Sequence, residues 1–465
     1  MTHKTSPTCF TSAIFTSFAI LLFATGAFAA GSAEVVIHSF AGGTGDGAAP
    51  SSALVADKLG NLYGVTPQGG TYGCGTVFQL SPQSNGTWSE TILYSFTIQG
   101  SSCNALPGAS LVMDSESNLY STSARAGAHG AGFVYKLSPA GSGWNLTDLY
   151  DFHPSYTFRD GYWPLAGVVL DHEGNLYGTT YLGGIGQCYS NQDAVTAGSN
   201  DPKGNVPVGC GIIFELSRSS SGTWTEKILY NFRAGTDGAG PWANMIFDEH
   251  GNLFGTTSGG GIGYGGCIGV YIGGCGTVFE LAAAHGGWKE LTLYEFTGDA
   301  DGGVPLSGVT FDKDGDLYGT TPGPFFEYGS VYELSPTASG SWTETTLSSF
   351  INETYGYGAF SSVIVDESGN LYGTTEFGVG PATSDARALG EANAPPPKPV
   401  GPGTIFEISP GQGGTLTTNW LHTFAGTPDG LNPAAGMVRG PDGAFYGTTA
   451  SGGALGYGTV FKFVP

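Results

Sequence analysis

Aspartates and aromatic side chains are the residues of this sequence whose spacing could support chemistry. Asp-Gly recurs in the loops that enter the first strand of a repeat, at Asp46, Asp160, Asp237, Asp301 and Asp429. Aromatic rings beside carboxylates suit sugars, because the rings stack on C–H faces while carboxylates accept hydrogen bonds from hydroxyls. The candidate ligand-binding residues are Asp160, Tyr162, Trp163, Asp237, Trp242, Asp301, Glu327 and Tyr328.

Other interpretations of these residues remain open. A ring of carboxylates could hold Ca²⁺, although the recurrence of Asp-Gly favours a structural Asx-turn. Carboxylates from separate loops could also serve a glycosidase or lyase, with Glu327, Asp301 and Asp237 as first candidates. Most of the aromatic rings could simply pack the loops together. The run Asp312–Asp316 resembles a calcium loop, but Gly323 stands where the bidentate glutamate belongs, so we expect no metal there.

Familiar catalytic signatures are absent from the sequence. The histidines are scattered, and there is no G-x-S-x-G elbow, no phosphate-binding P-loop and no Cys-x-x-Cys. We therefore expect no cofactor, and no catalytic residue is assigned.

A repeated unit must position these side chains. The segment GNLYGTT returns seven times with small variations, and its aromatic residue falls at Tyr63, Tyr120, Tyr177, Phe254, Tyr318, Tyr372 and Tyr446. An apolar-aromatic-x-apolar motif follows each copy, and in five copies a Trp then stands eight residues before a Phe. Seven equivalent copies of the Tyr and Thr residues favour a packing role. Each unit begins with an apolar stretch, and an Asp-x-x-Gly-Asn segment suited to a tight turn joins this stretch to LYGTT. With the two later segments, each unit holds four strands.

The sequence predicts an all-β fold, a seven-bladed β-propeller with four antiparallel strands per blade. The last repeat lacks its fourth segment, and residues 35–40 match the end of that segment. We expect the N-terminal strand to complete the last blade. The expected blades are residues 41–96, 97–152, 153–232, 233–296, 297–350, 351–424, and 425–465 with 35–40.

Composition agrees with this class and narrows the partners. Glycine accounts for 80 of 465 residues, charged residues for 11% and aromatic residues for 13%, which is typical of short strands joined by glycine turns. The formal net charge of -23 disfavours nucleic acid and anionic membranes. A carbohydrate or another cell-envelope ligand remains open, and we expect a monomer.

The first residues indicate export. Residues 1–29 combine Lys4, an apolar run and a small-x-small site, as in a signal peptide, which leaves one propeller over residues 30–465. The mature protein is then secreted or periplasmic, with no transmembrane segment and no C-terminal anchor. Its cysteines are expected to form disulfides, and among the 15 connectivities nearest neighbours favour Cys74–Cys103, Cys188–Cys210 and Cys267–Cys275.

The combined pattern GNLYGTT, GG, GTVFEL and WTExxLYxF resembles the GloVer-type tandem repeat proteins. That resemblance covers residues 35–465 and implies an exported bacterial propeller with no established activity.

Large insertions at residues 181–209, 258–274 and 376–403 fall in loops between second and third strands. All six cysteines of the mature chain belong to loops of the same face. Long loops tied by disulfides indicate that this face binds something. We therefore expect a ligand-binding module, with a carbohydrate-active enzyme or a structural or adhesive surface protein as alternatives.

Overall fold

Seven four-stranded antiparallel sheets form the blades, as the sequence predicts. The computed structural model describes residues 33–97, 103, 107–153, 160–190, 206–262, 267, 273–284, 286–323, 329–350, 358–378, 401–411 and 415–465. The expected signal peptide lies outside them.

Within each blade the chain runs through the strands in order from the axis outwards. The first strands are Val55–Ala56, Val112–Met113, Val169–Leu170, Ile246–Phe247, Thr310–Phe311, Ile364–Val365 and Val438–Arg439. The second strands are Leu62–Thr66, Leu119–Ser123, Leu176–Thr180, Leu253–Gly259, Leu317–Thr321, Leu371–Gly378 and Phe445–Thr449. The third strands are Thr76–Pro82, Phe133–Ala140, Ile212–Arg218, Thr277–Ala284, Gly329–Pro336, Gly401–Pro410 and Thr459–Val464. The outer strands are Trp88–Ser95, Gly143–Asp151, Trp224–Asn231, Gly287–Glu295, Trp342–Phe350, Leu416–Thr423 and, for blade seven, Ala33–Ser39.

Short pairs of strands lie within the loops on one face. They are Gly47–Ala48 with Gln68–Gly69, Gly161–Tyr162 with Leu182–Gly183, Tyr189–Ser190 with Val206–Pro207, and Gly430–Leu431 with Ser451–Gly452. In blade four, Ala239–Pro241 pairs directly with the second strand. A single turn of 3₁₀ helix spans Gly43–Gly45.

The ring closes through the N-terminal strand. Ala33–Ser39 pairs antiparallel with Thr459–Val464, so the beginning of the chain supplies the outer strand of blade seven. This confirms the predicted closure, and we call Ala33–Ser39 the closure strand.

A β-bulge in each outer strand lets that strand contact both neighbouring blades. In blade one, Val77 pairs with Tyr94 while Phe78 pairs with Ile92, so Leu93 is an extra residue. The same shift occurs in all seven blades. Because one extra residue reverses the facing of the side chains that follow, residues before and after the bulge contact opposite blades.

The residues after the bulge make the same contact at every junction between blades. A Phe at the end of each outer strand packs against the aromatic ring of the next blade's third strand, with centroids 5.1 to 5.6 Å apart. The contact is edge-on at six junctions and tilted at the junction of Phe350 with Phe406. The pairs are Phe40–Phe78, Phe96–Tyr135, Phe152–Phe214, Phe232–Phe279, Phe296–Tyr332, Phe350–Phe406 and Phe424–Phe461.

The glycine of LYGTT makes room for this ring. Gly178 lies directly across from Phe214 in the sheet, and a Cβ added there would stand 2.5 Å from Phe214 Cζ. Gly64, Gly255, Gly373 and Gly447 face their own Phe in the same way. The repeated glycine is therefore a packing requirement.

The Asp-x-x-Gly-Asn segment forms the expected turn between the first and second strands. In blade one, Asp57 Oδ1 accepts hydrogen bonds from the backbone N–H groups of Leu59 and Asn61. Asp57 Oδ2 accepts from Asn61 Nδ2 at 2.7 Å and from the Tyr63 hydroxyl at 3.2 Å. The turn and the Tyr of LYGTT thus recur together because one carboxylate binds both.

We predict that Gly178→Ala lowers the free energy of unfolding by about 1–3 kcal/mol, because its methyl group would overlap the Phe214 ring. Gly143→Ala is the matched control, since a Cβ there meets nothing within 4 Å. Urea unfolding of both variants measures the difference. Equal stability of the two variants would contradict the packing role of Gly178.

Candidate functional site

An axial cavity of about 890 Å³ opens where the seven blades meet. Every blade lines it with the residues just before its first strand. They include Ser52, Ala109, Ala166, Asn244, Ser307, Ser361 and Ala435. Ligand pockets commonly measure about 300–1,000 Å³, so this cavity can hold a small molecule or a few sugar rings.

Contacts between neighbouring blades hold these axial segments in place. In five blades the Thr at the first Thr position of GTT donates to a backbone carbonyl of the next blade's axial segment, as Thr256 Oγ1 does to the Ser307 carbonyl at 2.8 Å. A Pro before the segment packs against a glycine at the start of the third strand of the previous blade. A Cβ on Gly211, for example, would stand 2.6 Å from Pro241. The cavity wall is therefore built from the repeat itself.

Aromatic rings and hydroxyls share the cavity lining. Trp242 is 37% exposed and packs edge-on against Tyr181, with centroids 5.4 Å apart. Phe360 contacts Phe377 in the same manner at 6.2 Å. Ser52 Oγ is buried and makes no hydrogen bond to the described residues. The accessible hydroxyls of the lining come instead from residues such as Ser51 and Ser110, so apolar faces and hydroxyl groups meet in one cavity.

Glu376 is the carboxylate of the described cavity lining. It lies on the second strand of blade six, where its backbone N–H donates to the Gly358 carbonyl at 3.0 Å. Its own carbonyl accepts from Asn432 Nδ2 at 3.3 Å. Burial raises the pKa of its carboxyl to about 7. The described lining contains no Lys, Arg or His, so it favours neutral hydroxylated or cationic ligands over anions.

The predicted aspartates lie elsewhere, at the junctions between outer strands. Asp160, Asp237 and Asp301 each accept a hydrogen bond of 3.0 Å from a tyrosine hydroxyl of the preceding blade. The donors are Tyr150, Tyr230 and Tyr294. None of the three aspartates is among the described residues that line the axial cavity. Their ligand-binding role stays a prediction.

A glutamate completes each of these junctions. The glutamates lie on the outer strand of the same blade as the aspartate. They are Glu226, Glu290 and Glu344. Burial, followed by the charge of Asp160, raises the pKa of Glu226 to about 7. Burial is also the main cause that raises the pKa of Glu290 to about 7, and the charge of Asp237 adds to it.

The aromatic residues of the predicted ligand site do not lie together in the structure. Trp242 lines the axial cavity, whereas Tyr162 and Trp163 pack against the core of blade three. The Arg125 guanidinium lies 5.6 Å from the Trp163 ring. Glu327 and Tyr328 lie outside the described residues.

Sequence reasoning missed Glu376 and Phe360, although a signal for Glu376 exists. Glu376 directly follows GTT, where the other blades carry an uncharged residue such as Pro67, Pro322 or Ala450. An acidic residue that breaks a repeat at one position is a candidate for function.

Three disulfides join the loops on the face of the second-to-third connections. Cys74 pairs with Cys103, Cys188 with Cys210 and Cys267 with Cys275, with Cα–Cα distances of 5.0, 5.1 and 5.3 Å. These pairings confirm the nearest-neighbour expectation. Cys74, Cys210 and Cys275 are fully buried, so each bridge ties a loop to the body of a blade.

The repeat also identifies the family. Residues 25–190 and 187–385 match the Gloeobacter/Verrucomicrobia repeat family, which is more than half of the chain. The chain belongs to the Gloeobacter/Verrucomicrobia repeat family. This confirms the resemblance noted from the GNLYGTT and GTVFEL motifs.

Solved structures offer weaker likenesses. A gluconolactonase from Xanthomonas campestris is 11% identical, with 75% of this chain and 82% of that chain covered and a TM-score of 0.36. A putative oxidoreductase (glucose dehydrogenase) from Thermus thermophilus is 16% identical, with 74% and 94% covered and a TM-score of 0.40. No curated protein sequence matches the chain significantly. At these scores the two enzymes imply nothing about activity here.

In the described part of the chain, no helix has the length and apolar character needed to span a bilayer.

We predict that stability falls as pH rises from about 5 to about 8, because buried Glu226 and Glu290 must ionise in the folded state. A carboxyl whose pKa is raised in the folded state contributes its full stability at pH values below its pKa in the unfolded state. This contribution is lost as the pH rises through its pKa in the folded state. Glu290→Gln should recover on the order of 1 kcal/mol at pH 8. Thermal unfolding across this pH range measures the effect, with exposed Glu249→Gln as the control. An unchanged pH slope in Glu290→Gln would contradict the interpretation.

Proposed function

We propose that this protein is an exported ligand-binding propeller that takes a neutral, hydroxylated ligand, a glycan, in its axial cavity. The observation that carries the proposal is the composition of the described lining, where Trp242, several serine hydroxyls and Glu376 occur together without a basic residue.

Each of these groups suits a sugar. The exposed part of Trp242 offers an apolar face for the C–H surface of a pyranose ring. Ser51, which is exposed, and Ser110, which is half-buried, line the cavity with hydroxyls that can both donate and accept hydrogen bonds. Glu376, whose pKa is raised to about 7 by burial, populates its protonated and ionised forms near neutral pH. It can therefore donate to or accept from a ligand hydroxyl.

The same lining supports binding rather than hydrolysis. Glycosidases ordinarily use two carboxyl groups about 5–10 Å apart. The described lining offers Glu376 alone. The enzyme alternative requires a second carboxylate, for which Glu327 remains the sequence candidate.

Export is part of the proposal. Disulfides persist in oxidising compartments, and three of them join loops of this chain. The predicted signal peptide at residues 1–29 accounts for the route. The surplus of acidic residues, 38 against 15 basic ones, agrees with a partner that is neither nucleic acid nor an anionic membrane.

The test is a glycan array screen of the purified mature protein, followed by calorimetry and product analysis on the tightest ligand. We predict binding without cleavage, and a loss of affinity of about tenfold or more in Trp242→Ala, which corresponds to about 1.4 kcal/mol. Glu376→Gln should weaken binding more at pH 8 than at pH 5.5. At pH 8 the substitution removes an ionised carboxylate that accepts hydrogen bonds, whereas at pH 5.5 it replaces a protonated carboxyl with a neutral amide of similar shape.

Tyr72→Ala is the matched control, since Tyr72 is 50% exposed on a loop and does not line the cavity. Equal affinity in Trp242→Ala and Tyr72→Ala would contradict the axial site. Release of shortened sugars would replace the binding assignment with an enzymatic one.

A further inference from the structure

Two clusters of one histidine and two carboxylates flank blade seven. The first cluster consists of His38, Asp46 and Glu90, and the second of His422, Glu34 and Asp429. In each cluster the three candidate ligand atoms lie within 4.8 Å of one another. We call them the first and second histidine junctions.

At the first junction the imidazole nitrogen stands too far from either carboxylate for a normal hydrogen bond. His38 Nε2 stands 3.9 Å from Asp46 Oδ1 and 3.8 Å from Glu90 Oε2. Two ligands of a tetrahedral ion with bonds of about 2.1 Å stand about 3.4 Å apart. An ion therefore fits between these atoms with a small contraction.

Buried atoms without partners point to the same place. His38 Nε2 and Glu90 Oε1 are buried and make no hydrogen bond to the described residues. At the second junction Glu34 Oε1 is likewise buried without a hydrogen bond to the described residues, and only 7% of the Glu34 side chain is exposed. Buried polar atoms in native proteins normally have partners, so these orphans require an explanation.

The second junction is more contracted than the first. His422 Nε2 stands 3.1 Å from Asp429 Oδ2 and 3.8 Å from Glu34 Oε2. Within the described residues, no Lys or Arg forms an ion pair with any of these four carboxylates. Two carboxylates that face one imidazole without a basic partner suit a divalent cation.

Backbone groups orient the aspartates towards the histidines. Asp46 accepts hydrogen bonds of 2.6 Å from the N–H groups of Ala41 and Gly47. Asp429 accepts from Ala425 and Gly430 at 2.9 and 2.7 Å. Such outer contacts fix the direction of a ligand carboxylate.

Three other junctions show what this position looks like without histidine. Tyr150, Tyr230 and Tyr294 occupy the histidine position there, and each hydroxyl donates to its aspartate at 3.0 Å. Phenol is a poor ligand for these ions, whereas imidazole nitrogen is a common one. Histidine thus replaces tyrosine at the two junctions that border blade seven.

The closure strand contributes to both histidine junctions. Glu34 faces blade six and His38 faces blade one, because the bulge between Val36 and His38 reverses the side-chain direction. Ions at both places would join the N-terminal strand to both neighbouring blades.

We propose that the histidine junctions are binding sites for a divalent transition-metal ion of the Zn²⁺ type, which fastens the closure strand. Each ion receives one imidazole nitrogen and two carboxylate oxygens, and water completes the coordination. This donor set suits Zn²⁺ and related borderline ions better than Ca²⁺, which prefers oxygen alone.

The test uses the mature protein stripped with chelator, dialysed against Zn²⁺ and analysed for bound metal. We expect two equivalents per chain, and a melting temperature that rises with Zn²⁺ concentration because the ion binds the folded state. His38→Tyr with His422→Tyr should bind none and remain folded, because it reproduces the three tyrosine junctions. His172→Tyr, which changes an exposed histidine, is the control and should keep both equivalents.

The converse variant tests the geometry directly. Tyr230→His places an imidazole beside Asp237 and Glu290, and should add a third equivalent of Zn²⁺. Wild-type protein that binds no Zn²⁺, or a double variant that binds as much as wild type, would overturn the proposal. If the double variant does not fold, failure of Tyr230→His to add an equivalent would overturn it.

Discussion

The contact between an outer-strand Phe and the third-strand aromatic ring of the next blade is the constraint on which this structure depends. It occurs at all seven junctions, including the one where Phe40 of the closure strand meets Phe78. Six blades place a glycine opposite the third-strand ring, as at Gly178, and blade two places the small Ser121 there. A bulge in the outer strand turns the Phe towards its neighbour. Aromatic pairs of this geometry add about 0.5–1.5 kcal/mol each beyond the area they bury, so the junctions act as a repeated stabilising unit.

The same junctions determine where function can lie. They fix the axial segments through Pro and Thr contacts, and they leave the residues facing the axis free to differ between blades. Trp242, Phe360 and Glu376 are three such differences, and all line the axial cavity. His38 and His422 are differences of another kind, since they replace a tyrosine beside a retained aspartate. Variation within a strict repeat marks both candidate sites.

The fold followed from the sequence because its signals repeat seven times. GNLYGTT, the aromatic third strand and residues 35–40 gave the blade count and the closure, and neighbouring cysteines gave the disulfides. The site followed less well. Asp160, Asp237 and Asp301 share their dipeptide with a turn, and only the three-dimensional bulge shows that they face tyrosines between the blades. Glu376 carries no motif, and which carboxylate lines the axis depends on loop geometry that no spacing in the sequence records.

We propose the axial cavity as the ligand site of this protein. The most direct test is a crystal structure of the mature protein with the tightest-binding oligosaccharide from the array screen. We expect a sugar ring stacked on Trp242, with a sugar hydroxyl within hydrogen-bond distance of Glu376. A sugar bound on the outer loops or on the face of the Asp-x-x-Gly-Asn turns, with the axial cavity unchanged, would contradict it.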